Sequence, residues 1–81
     1  MQPTDSDIIT ECTFLRARRA RDLTRGMSDE LETLIDVLTG HLDFTAPEFS
    51  ELSYQEQRAA LHALAWKDGI SKKRPSEYWK Q

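Results

Sequence analysis

Apolar positions recur along this chain at steps of three and four. Ile8, Ile9, Cys12, Leu15, Ala20 and Leu23 share one side of a helical projection. Leu31, Leu34, Ile35, Leu38 and Leu42 form a second stripe, and Tyr54, Leu61, Leu64 and Ala65 a third. That period predicts three amphipathic helices, and no alternating run of strand length competes with it.

Local punctuation places the ends. Thr4 to Ser6 supply N-cap candidates for a first helix over residues 5–25, with Gly26 as its left-handed C-terminal cap. Ser28 is expected to cap a second helix over 28–42, or to Leu38 if Gly40 stops it, with Asp29 and Glu30 at the positive end of its dipole. Thr45 and Pro47 suit the opening of a short turn over 46–52. Ser53-Tyr54-Gln55-Glu56 is a capping box for a third helix over 53–68, which Gly69 closes with Ile70 as apolar partner. Residues 70–81 read as a basic tail, with one helical turn after Pro75. The expected fold is all-α: one domain over 1–81, a small bundle of three main helices plus short helical turns and the tail.

Composition narrows the chemistry. A chain of 81 residues with 38% hydrophobic residues is marginal as an isolated domain, so self-association as a homodimer is expected. One cysteine excludes a disulfide framework and a four-thiolate zinc site, and Cys12 on the apolar stripe reads as a core thiol. His41 and His62 stand far from it and from each other, so no metal is expected. The chain has no Gly-rich phosphate loop, no G-x-S-x-G and no H-E-x-x-H, which predicts no catalysis, no cofactor and no small-molecule substrate. The longest near-apolar run, 59–66, contains His62, so no membrane span is expected. The opening MQPTDSD lacks a basic segment ahead of an apolar one, and the expected address is cytoplasmic.

The net charge of -3 conceals a segregation. Residues 27–57 hold Asp29, Glu30, Glu32, Asp36, Asp43, Glu48, Glu51 and Glu56 without one Lys or Arg, while residues 58–81 carry six bases against two acids. Solvated helix faces usually intersperse signs, because like charges one turn apart repel. On helix 1 the projection sets Phe14 with Arg18, Arg21 and Arg25, away from the apolar stripe; on helix 2 it gathers Asp29, Glu32, Asp36 and Asp43. Exposed aromatics and arginines are the residue types enriched at binding hot spots. These two clusters are therefore the candidate partner-binding faces, one basic and aromatic, one acidic. Arg16 and Arg19 project beside the apolar side and must either snorkel to water or meet acids of helix 2 or of a second subunit. Trp66 falls off the third stripe, and it and the tail's Tyr78 and Trp79 are expected to complete the core.

The segment Ala65-Trp66-Lys67-Asp68-Gly69-Ile70-Ser71 resembles the turn of a helix-turn-helix, which would make Lys72, Lys73 and Arg74 nucleic-acid contacts. Pro75 would then sit inside the recognition helix, where it removes a backbone donor, and the negative net charge opposes phosphate. Leu15-Arg16-Ala17-Arg18-Arg19 and Pro75-Ser76-Glu77-Tyr78-Trp79-Lys80 are similar to stretches of the Hha/YmoA family of small helical partners of nucleoid proteins, without a shared spacing between them. That similarity implies regulation through a protein partner. The expectation is a non-enzymatic regulator or inhibitor, of the kind phages and plasmids encode, that occludes a surface of another protein. Nucleic-acid binding is the second expectation, and a structural subunit of an assembly the third.

Overall fold

A computed structural model describes residues 2–22 and 24–78, without the Arg25 side chain. Five helices follow in order: α1 (Asp5–Arg21), α2 (Arg25–Leu38), α3 (Pro47–Glu51), α4 (Tyr54–Lys67) and α5 (Pro75–Tyr78). No strand occurs among the described residues, and the architecture is the expected all-α bundle. The central helix, α2, packs against α1 on one side and α4 on the other. Its stripe of Leu31, Leu34, Ile35 and Leu38 is buried and joined by Val37.

Helix ends show where local chemistry overrides periodicity. Thr4 and Asp7 form a capping box at the start of α1, the Thr4 hydroxyl accepting from the Asp7 N–H at 3.2 Å and the Asp7 carboxylate from the Thr4 N–H at 3.1 Å. The helix ends at Arg21 rather than near residue 25. Asp22 turns the chain: its carboxylate accepts from the Thr24 N–H at 2.8 Å, and the Ser28 hydroxyl donates to its carbonyl at 3.1 Å. Gly26 is therefore not a cap but part of the first turn of α2, and the N-cap position belongs to Thr24 rather than Ser28. Gly40, at φ 78°, stops α2 at Leu38 rather than 42. There the His41 N–H donates to the Asp36 carbonyl at 2.8 Å and the Gly40 N–H to the Val37 carbonyl at 3.2 Å, the Schellman pattern. The Lys67 ammonium also reaches the Val37 carbonyl at 3.2 Å, placing a cation at the negative end of the α2 dipole.

Thr45 does not cap α3. Its N–H and hydroxyl both donate to Asp43 Oδ1, at 2.8 and 2.7 Å, so the Asp43 carboxylate holds the turn and Ala46 takes the cap position. The capping box at Ser53 and Glu56 forms as expected, and α4 ends in a second Schellman turn at Gly69, φ 79°. In it the Ile70 N–H donates to the Ala65 carbonyl at 2.9 Å and the Gly69 N–H to the Trp66 carbonyl at 3.0 Å.

The third stripe requires correction. Inward from α4 come Ala59, Ala60, Ala63 and Trp66, whereas Tyr54 and Leu61 stand 71% and 53% exposed and Leu64 and Ala65 are half-buried. Alanines let α4 approach α2 closely, and the Trp66 ring supplies the volume they lack. On α1, Cys12 and Leu15 are buried and Ile8 packs at the margin, but Ile9 and Ala20 face solvent; Leu23 lies outside the described residues.

The C-terminal segment docks on the bundle, with Tyr78 against the core. Short α5 lies against α1 and α4, with Pro75 and Ser76 buried. A buried glutamate, Glu11 at 1% exposure, holds it there. Glu11 accepts from the Ser76 N–H at 3.1 Å and the Ser76 hydroxyl at 3.0 Å, and the Arg74 guanidinium stands 3.6 Å away. Arg74 also reaches Asp7 at 3.4 Å. Trp79 lies outside the described residues.

Candidate partner-binding surface

The basic face of α1 is not assembled as the projection suggests. Phe14 is half-buried and packs against the core, so it is no exposed anchor. This ring, one turn beyond the buried Glu11, is partly covered at the bundle's margin. Arg25 opens α2 after the Asp22 turn, so its position leaves the helix carrying Arg18 and Arg21; its side chain lies outside the described residues. Arg18, half-buried, and Arg21, exposed, line a shallow concavity of about 400 Å³ with Asp22 and Met27. The Arg21 Nε–H folds back to the Ala17 carbonyl at 3.4 Å.

Arg19 is the arginine that meets the acidic helix. Its guanidinium donates to Glu32 at 3.1 Å, both side chains being about half exposed. The alternative of pairing with helix 2 is thus the geometry present, and one member of the acidic trio is neutralised within the chain. Asp29 is exposed and Asp36 half-buried, and neither takes part in an ion pair among the described residues. Asp43, the fourth acid of the projected cluster, is set apart from these three because α2 ends before it.

Around this surface the carboxylates crowd one another. Burial, with Glu56 nearby, pushes the Glu30 carboxyl above its ordinary range. Burial and Glu32 do the same to Asp36, against a weaker opposite pull from His41 and Arg19. The α2–α4 contact creates this: the Thr33 hydroxyl, buried between the helices, lies 2.9 Å from the Asp29 carbonyl and 3.2 Å from the Glu56 carboxylate. Glu30 is a residue that the two-dimensional projection overlooks. The signal that finds it is the capping-box glutamate of α4, which has to sit where α4 enters the bundle beside α2.

Of the possible nucleic-acid contacts, Lys72 and Lys73 are exposed, whereas Arg74 is engaged by Asp7 and Glu11. After Gly69 the chain stays non-helical until Pro75, which begins α5 instead of interrupting a longer helix. Among the described residues, four helical residues with a buried start make no element of groove-filling length at this place.

The reactive groups are enclosed. Burial pushes the Cys12 thiol upward, and burial pulls the His62 imidazole below its ordinary value, with Lys73 adding to that fall and backbone groups of Arg74 and Lys73 opposing it. No group of three or more His, Cys, Asp or Glu among the described residues is placed to hold a metal ion. Among the same residues no helix is long and apolar enough to cross a membrane. No protein-family model, curated protein or solved structure matches the chain.

Proposed function

We propose that this protein acts by binding another protein, offering the carboxylates of α2 and of the approach to α4 to a basic surface and occluding it. One observation carries the reading: of eight carboxylates between residues 27 and 57, with no Lys or Arg among them, only Glu32 enters an ion pair among the described residues. Carboxylates left beside one another, as Glu30 is beside Glu56 and Asp36 beside Glu32, are stabilised by incoming cations. A complementary basic face would gain in encounter rate and register from this field, whereas phosphate is repelled by it. The face of Arg18 and Arg21 is a secondary contact at most, since it has lost the aromatic that would anchor it.

The test is differential capture from the native host, with bound proteins identified by mass spectrometry. Wild type is compared with Asp29→Lys/Glu48→Lys and with Arg18→Glu/Arg21→Glu. A specific partner is expected to disappear with the acidic-face variant and persist with the other. Its affinity as a purified protein is then expected to fall at least roughly tenfold in the same variant and to weaken with salt. A captured set unchanged by reversing the acidic face would overturn the proposal.

A further inference from the structure

The outward side of α4 is left over from the bundle, and its pattern is ordered. Tyr54, Arg58, Leu61, Ala65 and Asp68 alternate steps of four and three, which places them in one stripe. None is buried; Tyr54 is 71% and Leu61 53% exposed. The Schellman bond from the Ile70 N–H to the Ala65 carbonyl ties Ile70, 80% exposed, to the end of this stripe. Tyr54 and Leu61 are two of the four large apolar side chains standing exposed among the described residues, and they share this stripe, whereas Ile70 lines a separate hollow with Pro3, Asp7 and Trp66. Apolar groups gathered in this way mark an interaction site more often than scattered ones do. At the opposite end the Arg58 guanidinium lies 5.9 Å from the centre of the Tyr54 ring.

We infer that this stripe is a self-association surface, on which a second copy of the chain lays its own α4 antiparallel across a two-fold axis, Arg58 facing Asp68. The stripe is its own complement. Its cation lies toward one end and its anion at the other, separated by ten residues, about 15 Å of helix. An axis at the level of residue 63 sets Arg58 opposite Asp68 twice over and Leu61 opposite the small Ala65. Leu61 is then covered twice over in the same register. A parallel pairing would instead set Arg58 against Arg58. Alternating four and three steps are also the spacing that packs two helices at a shallow crossing angle. A single helix face is smaller than a standard interface, so the dimer is of micromolar rather than nanomolar strength. This surface is distinct from the acidic one, and the two can be tested apart.

Sedimentation equilibrium on the full chain, from about micromolar to about millimolar, reads the outcome. Wild type is expected to dimerise. Arg58→Asp alone and Asp68→Arg alone each face like charges twice, and each is expected to weaken the dimer at least roughly tenfold. Mixed together they form a one-to-one heterodimer, because each then supplies the charge the other lacks. The double variant Arg58→Asp/Asp68→Arg regains the wild-type association. Circular dichroism verifies that all remain helical, as exposed positions allow. Wild type that stays monomeric throughout, or dimers indifferent to the single reversals, or a mixture no more associated than its components, overturns the inference.

Discussion

Removing the Glu11 carboxylate tests how the C-terminal segment is held. In Glu11→Ala, the Ser76 N–H and hydroxyl lose their acceptors at 3.1 and 3.0 Å while remaining at a buried position. A buried donor left unpaired costs about 1–3 kcal/mol. Two such donors would cost about 2–6 kcal/mol, but relief of the buried carboxylate's desolvation offsets part of this. Arg74 adds little, because its side chain is 43% exposed and water replaces the lost partner. The net expectation is about 2–4 kcal/mol, with undocking of α5 as the ceiling. A domain of this length has about 4–12 kcal/mol of stability, so the loss is a large share of the total. At about 4–8 °C per kcal/mol, the melting temperature falls by about 8–32 °C. Thermal unfolding by circular dichroism reads the fall, and hydrogen exchange at Ser76 and Glu77 reads release of α5 while α2 amides stay protected. Glu11→Gln keeps one acceptor oxygen and loses roughly half as much. A melting temperature within about 4 °C of wild type, with Ser76 still protected, would show that the carboxylate does not hold the segment.

Two glycines give opposite signs. Gly26 lies in the first turn of α2 with nothing within 4 Å of an added Cβ, so Gly26→Ala is expected to stabilise by about 0.5–1 kcal/mol. Gly40→Ala meets only the Lys67 ammonium at 3.9 Å but must adopt φ 78°, so it destabilises by about 1–2 kcal/mol in denaturant titration. On α4, Ala63→Leu overpacks the contact with α2 and costs about 1–3 kcal/mol, whereas Leu61→Ser changes the monomer's stability by less than about 0.5 kcal/mol; the reverse ranking would restore the stripe read from the sequence. The folded-state carboxyl of Asp36 titrates above its unfolded value, so its contribution is fully present in acid and lost as pH rises through the raised value. Asp36→Asn is therefore expected to raise the melting temperature at neutral pH and to lose that advantage below the ordinary carboxylate range. His62 has the opposite sense: its pKa is depressed from 6.5, so stability falls as pH drops through that value, and His62→Gln flattens the slope.

The stripe of α2 could be read from the sequence because four large aliphatics at regular spacing admit one inward face. For α4 the same logic selected Tyr54 and Leu61, since hydropathy weights large side chains over alanine. What decides there is distance: Ala59, Ala60 and Ala63 permit a close approach that Leu61 would block. The end of α1 was hidden because Asp22 acts through a side-chain turn that periodicity does not register, and displacing that end also separated Arg25 from Arg18 and Arg21. Phe14 was misplaced for a related reason, as a projection knows nothing of the neighbours that α1 meets in the bundle. Glu11 left a trace. With Ile8, Cys12 and Leu15 it occupies a core-facing pattern, and an acid at such a position calls for a buried donor. That the donor is Ser76, in the basic tail some 65 residues away, is a long-range fact no local pattern contains.

The bonds from Asp7 and Glu11 to Arg74 and Ser76 bring the opening turns of α1 and the start of α5 to a common pole. A short bridge could join them there and new ends be cut in the Asp43–Ala46 loop, giving a circular permutant whose neighbours in space are those of the original. A pull on the start of α5 would be passed through Glu11 and Asp7 into the opening turns of α1.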